Sequence, residues 1–229
     1  MRFMALATDY DGTLARRGVV ARQTVRALQA LRESGRRLIL ITGRQLDDVA
    51  GVFARADLFD RIVAENGGVL YRRETREQVL LTDPVDPRLV RALREARVEP
   101  LSVGRTVIAT SEARQDEVRD AIRELGLELD LAFNKGAVMV LPSGVTKGSG
   151  LEAALAELHL SRAVVVGIGD AENDRPFLSV CGRGVATANA LAAVKDGADH
   201  VTRRENGAGV RELIADLLRD DLARPAGRS

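Results

Sequence analysis

The chain has 229 residues, 45% hydrophobic but only 3% aromatic, enough for one large domain or a core with a smaller partner, packed mainly by Ala, Leu and Val. Its 34 basic and 33 acidic residues leave a net charge of +1, so no global field favours nucleic acid or a membrane surface. One cysteine, Cys181, excludes an internal disulfide and a Cys-rich zinc site, and no apolar run approaches the ~20 residues of a membrane span.

The first stretch, FMALATDYDGT, reads as a buried strand that stops at two carboxylates, Asp9 and Asp11. Val25, Leu28 and Leu31 then keep helical spacing, and Gly35 is a helix stop. RRLILITGR, residues 36–44, is the next buried strand, followed by a helix through Leu46, Val49 and Phe53. RIVAENGG is a third short strand ending at a Gly-rich turn. This βαβα rhythm with wholly apolar strands predicts a doubly wound parallel sheet covered on both faces.

The rhythm changes after Tyr71. EQVLLTDPVDP ends in Pro84 and Pro87, which predicts a linker or turn. A helix near 88–97, a strand near 101–109 and a helix near 112–125 follow, then the strand-like runs LELDLAFN and KGAVMVLP. Residues 83–143 thus read as a small α+β insert between two parts of a core, 1–82 and 144–229. The first rhythm then returns. Residues 148–158 are helical, RAVVVGIGD is a strand ending at Asp170, and a helix starts near Glu172. The run GRGVATANA, a short helix and DHVTR lead to an amphipathic helix carrying Val210, Leu213, Ile214 and Leu217. The tail RPAGRS is expected to fray.

In a doubly wound sheet, ligands bind at the carboxyl ends of the strands. Four polar clusters fall there: Asp9/Asp11, Thr42-Gly43-Arg44, Asn66-Gly67-Gly68 and Asp170/Asn173/Asp174. Lys147 stands where the insert ends and a helix begins. Each cluster alone has a plain reading as a turn, a strand end, a helix cap or a surface charge. Together they make a set for phosphoryl transfer. A carboxylate such as Asp9 can attack phosphorus and form an aspartyl-phosphate. Asp11, protonated beside a second carboxylate, can serve the leaving oxygen and then the attacking water. Mg²⁺ suits oxygen ligands such as those of Asp9 and Asp170. Thr42 offers a hydroxyl and an N–H to phosphate oxygens, and Lys147 a positive charge.

DYDGT, ITGR, GVTKG and GDAEND resemble, in order, the four motifs of the haloacid dehalogenase superfamily of phosphatases. The resemblance covers residues 1–82 and 144–218 and implies a Rossmann-like core. It implies Asp9 as nucleophile, Asp11 as general acid/base, and Thr42 and Lys147 on the phosphoryl group. It implies Mg²⁺ on Asp9, the Asp11 carbonyl and Asp170, with Asp174 and Asn173 supporting the metal and Lys147. The insert lies between the second and third motifs, which resembles the C2 cap of subclass IIB. Its short length is similar to the phosphoglycolate and sucrose phosphatase-like members. One departure is NDRPFL, where relatives often carry a Met-Leu pair; the expected change is in helix packing and not in chemistry.

Substrate choice is expected to lie in the insert. Only three basic residues are lysine, Lys135, Lys147 and Lys195, so a retained lysine is worth testing for a role that needs a compact charge. Lys135 and Arg105 are candidates for a substrate carboxylate or second phosphate, and Arg44, Gly43 and Asn66 for the phosphate end. The expected partner is a small phosphate ester, phosphoglycolate or a sugar phosphate, with no nucleic acid or membrane. The expected assembly is a monomer or homodimer in the cytoplasm. Two rivals share the scaffold: a phosphotransferase or mutase using the same intermediate, and a non-catalytic binding module. Two others fail on pattern. GIGDAE has Glu172 where a dinucleotide fingerprint needs its third glycine, and GVTKGSG lacks the spacing of a P-loop.

Overall fold

The computed structural model describes residues 1–223; the tail predicted to fray, residues 224–229, lies outside them. The apolar runs form the middle of one large sheet. β1 (Ala5–Asp9) is buried at every position and leads through a twelve-residue loop to α1 (Arg22–Glu33). β2 (Arg37–Ile41), α2 (Leu46–Val52) and β3 (Arg61–Ala64) follow. β4 (Val69–Arg72) and β5 (Glu77–Leu80) form a hairpin, and α3 (Pro87–Glu95), β6 (Leu101–Val103), β7 (Ile108–Ser111), α4 (Gln115–Glu124), β8 (Leu129–Asn134) and β9 (Ala137–Pro142) come next. The chain closes with α5 (Lys147–Glu157), β10 (Val165–Gly169), α6 (Arg175–Val180), β11 (Arg183–Ala186), α7 (Ala192–Asp196), β12 (His200–Val201) and α8 (Asn206–Asp220).

The large sheet runs β12-β11-β10-β1-β2-β3-β4-β5. β1, β2, β3, β10, β11 and β12 pair in parallel; β4 and β5 are antiparallel. Leu28, Leu31, Val49, Leu213 and Leu217 of α1, α2 and α8 cover one face, against Leu6, Leu38 and Val166. Leu151, Leu155, Phe177 and Val194 of α5, α6 and α7 cover the other, against Ala7, Ile39 and Ile41. Burying these strands on both faces is what their unbroken apolar runs require. The strand order reverses between β1 and β10, so the carboxyl ends of these two strands open a crevice.

A second, four-stranded antiparallel sheet has the order β6-β7-β9-β8. α3 and α4 pack on one of its faces through Leu89, Leu93 and Val118 against Ile108 and Val140. Val107, Met139 and Leu141 form a separate small cluster.

Two segments differ from expectation. The single strand near 101–109 is two strands, β6 and β7, folded back at Gly104, where a side chain would meet the Glu65 carboxyl. The stretch ahead of Pro84 is not all linker, since β5 pairs with β4 and extends the core sheet. Both hairpins are short and half-buried, so their period-2 signal is faint.

The Asn66-Gly67-Gly68 turn sets where α5 begins. Gly67 has φ +115°, and a Cβ there would fall on the carbonyl of Thr146, the N-cap residue of α5. Gly150 lies as close to the same turn, with an added Cβ 2.8 Å from the Gly67 Cα. Gly67→Ala therefore combines backbone strain with overpacking, and a loss of about 2 kcal/mol or more is expected in urea unfolding. An unchanged midpoint would mean that α5 tolerates a shift of its first turn.

Candidate active site

The parallel strands deliver four polar segments to one place. Asp9 is the last residue of β1, Thr42 follows β2, Asn66 follows β3 and Asp170 follows β10. Lys147 opens α5, whose N-terminus is fixed by a capping box between Thr146 and Ser149. All five are buried, Lys147 to 1% exposure.

Lys147 Nζ donates to Asp9 Oδ1 and to Asp174 Oδ1, at 2.6 Å each. Asp9 Oδ2 has no hydrogen-bond partner among the described residues. Asp174 Oδ2 accepts from the backbone N–H groups of Asp170, 2.7 Å, and Ala171, 2.9 Å. Asp174 thus ties Lys147 to the turn that carries Asp170. Asp170 Oδ1 accepts from Thr13 Oγ1 at 3.1 Å, and Oδ2 accepts from Asn189 Nδ2 at 3.1 Å and from Lys135 Nζ. Gly12, with φ +86°, lets the first loop lie against Asp170, since a side chain there would collide with that carboxyl.

Asp11 is turned away from Lys147. Arg44 grips it with two hydrogen bonds, Nε to Oδ2 at 2.6 Å and Nη2 to Oδ1 at 2.8 Å, and its guanidinium lies 5.5 Å from the Tyr10 ring centroid. The Thr42 hydroxyl accepts from the Arg44 N–H at 3.1 Å and keeps its own proton to donate. The N–H of Thr42, expected to face phosphate, instead donates to the Val63 carbonyl at 2.8 Å. The Gly43 N–H has no partner among the described residues and is the free backbone donor of this segment. Asn173 Nδ2 donates to Asn66 Oδ1 at 2.9 Å, and the buried Asn173 Oδ1 has no partner among the described residues.

Lys135 reaches the cluster from the β8–β9 turn of the second sheet, through its contact with Asp170. Arg105 does not. Its guanidinium donates to Gln78 on β5, 3.0 Å away, at an exposed position. Two residues that the sequence reading passed over belong to the site's frame. Glu65 is a buried carboxylate that accepts from the N–H groups of Arg105 and Thr106 and from the Thr106 hydroxyl, tying the second sheet to the core. Asn189 joins Asp170 to Gly12. Neither stands out in the sequence, because the partners that define its role are distant: those of Glu65 are 40 and 41 residues away, and Asn189 reaches Gly12 across 177.

The charge balance is negative. Burial first, then the neighbouring Asp174 and Asp170, push the Asp9 carboxyl up from 3.8 to about 8, against the pull of Lys147. Burial also pushes Asp170 up, against Lys135. Burial disfavours the Lys147 ammonium, but Asp174 and Asp9 outweigh it and hold that pKa above its ordinary value. One carboxylate oxygen from each of Asp9, Asp170 and Asp174 lies within 4.8 Å of the other two. Hard oxygen donors with uncompensated charge fit a cation such as Mg²⁺. Both oxygens of Asp174 and of Asp170 already accept hydrogen bonds, so among the described residues Asp9 Oδ2 is the one unpaired oxygen of the three carboxylates; the donors to Asp170 are all side chains, whereas two of those to Asp174 are backbone N–H groups.

A family model of haloacid dehalogenase-like hydrolases matches residues 6–100 and 98–214. The phosphoglycolate phosphatase of Methanothermobacter thermautotrophicus is 31% identical over 219 residues, 92% of this chain and 96% of that protein. The phosphoglycolate phosphatase of Archaeoglobus fulgidus is 32% identical over 220 residues, covering 92% and 95%. Among solved structures, a haloacid dehalogenase-like hydrolase from Bacteroides thetaiotaomicron superposes with a TM-score of 0.80 at 22% identity, over 94% of this chain and 99% of that one. A HAD subclass IIB sugar phosphatase gives 0.75 at 18% identity, over 93% and 98%. Both superpositions take in nearly the whole of this chain.

Proposed function

The chain belongs to the haloacid dehalogenase-like hydrolases and is a phosphatase, and from this premise we propose that it hydrolyses a small phosphorylated acid of the phosphoglycolate class. The observation that carries the reading is the buried Asp9–Lys147–Asp174 chain beside Asp170, met from the second sheet by Lys135. The proposed reaction has two steps. Asp9 attacks phosphorus and the alcohol leaves with a proton from Asp11. Asp11 then takes a proton from water, which attacks the aspartyl-phosphate, releases phosphate and restores Asp9. Arg44 engages both Asp11 oxygens in the structure, so in the proposed reaction Asp11 gives up one of these hydrogen bonds to hold the proton it transfers. The Thr42 hydroxyl and Gly43 N–H hold phosphoryl oxygens, and Lys147 offsets the charge that develops on them. Mg²⁺ on Asp9, Asp170 and the Asp11 carbonyl would offset the charge that a phosphate adds to an already acidic site.

The second sheet, within residues 83–143, is proposed to close the site and choose the substrate. Two features favour a short, acidic leaving group. The Met139 sulfur lies 3.4 Å from where a Gly43 Cβ would stand, which leaves little width above the phosphate position. Lys135 brings the only insert cation that contacts the cluster among the described residues. Its ammonium suits a carboxylate of the substrate better than a sugar hydroxyl. The relatives that are phosphoglycolate phosphatases at 31% and 32% identity support the same class.

The test is phosphate release from a panel of phosphorylated acids, hexose phosphates and an aryl phosphate, with and without Mg²⁺, run beside Lys135→Met. The expected result is Mg²⁺-dependent release with the best kcat/KM on a two- or three-carbon phosphorylated acid. Lys135→Met is expected to cost the acid at least about tenfold more than the aryl phosphate, the size of one charged hydrogen bond. Equal losses on both, or a hexose phosphate as the best substrate, would remove the acid class.

A further inference from the structure

Asp170 lies outside every strand and helix, is 0% exposed, and carries a charge that burial and Asp174 oppose. Its orientation therefore depends on side chains that reach it. One of these is Asn189. Its Nδ2 donates one hydrogen to Asp170 Oδ2 at 3.1 Å and the other to the Gly12 carbonyl at 2.9 Å. Its Oδ1 accepts from the Asn206 N–H, at the start of α8, at 2.7 Å. One planar amide thus spans the loop after β1, the turn after β10 and the first residue of α8. The backbone reinforces the placement, since the Leu191 N–H donates to the Asp170 carbonyl at 3.0 Å.

We infer that Asn189 is a positioning residue of this phosphatase, one that sets the separation between the Asp9–Asp11 loop and Asp170 and thereby the affinity for the divalent cation. The inference rests on the reading of Asp9 and Asp170 as the cation-holding pair. A structural asparagine would satisfy backbone groups alone. This one gives one donor to a carboxylate of that pair and the other to the carbonyl one residue past Asp11. With Asn189 absent, Asp170 Oδ2 keeps only Lys135, a half-exposed side chain from the other sheet, and the bridge from the first loop to Asp170 is reduced to the Thr13 hydroxyl on Oδ1. Loss of a residue that orients a metal ligand typically costs 10- to 100-fold in metal affinity or activity.

The experiment is calorimetric titration of Mg²⁺ into the parent and into Asn189→Ala, with urea unfolding of both. The expected result is Mg²⁺ binding to the parent and at least about tenfold weaker binding to the variant. The Mg²⁺ concentration for half-maximal turnover should shift by the same factor, with much of kcat recovered at saturating Mg²⁺. An unchanged dissociation constant, with stability lowered or not, overturns the inference and assigns Asn189 to folding alone. No cation binding to the parent would overturn the metal reading itself, a separate failure. A second measurement needs no variant. The side-chain amide resonances of Asn189 in the parent should move with added Mg²⁺ at the calorimetric midpoint, and resonances that stay in place refute the inference even where Asn189→Ala does not fold.

Discussion

Asp9→Asn is expected to cost at least about 10⁴-fold in kcat while the chain folds as well as the parent. The amide has the shape of the carboxylate, so the end of β1 and its packing remain. What disappears is a nucleophilic oxygen: Asp9 Oδ2 has no partner among the described residues, and a neutral amide in its place does not attack phosphorus. The same variant carries a pH signature. In the metal-free folded chain Asp9 is held up at about 8, against 3.8 in the unfolded chain. The folded state therefore binds the proton more tightly, and this group's contribution to stability falls as pH rises between those values. Asp170, also raised, acts in the same direction. Asp9→Asn removes the Asp9 share. In urea unfolding with a chelator, the variant should gain on the parent from about pH 5 to pH 8, and Mg²⁺ should reverse the gain by favouring the ionised carboxylate. Turnover within tenfold of the parent would remove Asp9 from the nucleophile's place, and a stability difference flat with pH would mean that burial does not raise its pKa.

Lys147→Ala is expected to lose about 10³-fold in kcat and about 3–5 kcal/mol of stability together. The side chains of Lys147, Asp9 and Asp174 are exposed by only 2%, 5% and 0%, so solvent screens none of them. Deleting the ammonium leaves two carboxylates facing each other in the interior, and the unpaired charge costs more than the pair contributes. The kinetic loss has a separate origin, the missing charge beside the phosphoryl oxygens. The two are separable in Lys147→Met combined with Asp174→Asn, which removes the stranded charge along with its partner. That pair of changes should recover much of the urea midpoint and none of the kcat. Recovery of both would make Lys147 a structural residue.

The apolar periodicity of the chain carried the parallel core well. Segments 38–41 and 165–169 read as unbroken hydrophobic runs because both faces of the sheet are covered, and the helix stripe Val210, Leu213, Ile214 and Leu217 is buried along its length. The order of the polar clusters was equally legible, since each directly follows a strand and a parallel sheet presents all such ends on one edge. The insert was legible as α+β but not in detail: β6 and β7 are three and four residues long, too short for alternation to mark where one strand ends.

What the linear sequence determined by itself was therefore the set of strand ends and the chemical types standing on them: two aspartates, a threonine, a lysine and an acidic turn. Tertiary structure alone decided which polar atom meets which. It turned Asp11 to Arg44, spent the Thr42 N–H on Val63, sent Arg105 to Gln78 and brought Lys135 to Asp170. It also made Glu65 and Asn189 part of the frame. The physical reason is one of range. Hydrophobic burial is nearly non-directional and leaves a local period of 2 or 3.6 in the sequence. A hydrogen bond is directional and closes only when strand order, loop length and side-chain reach agree across distant segments.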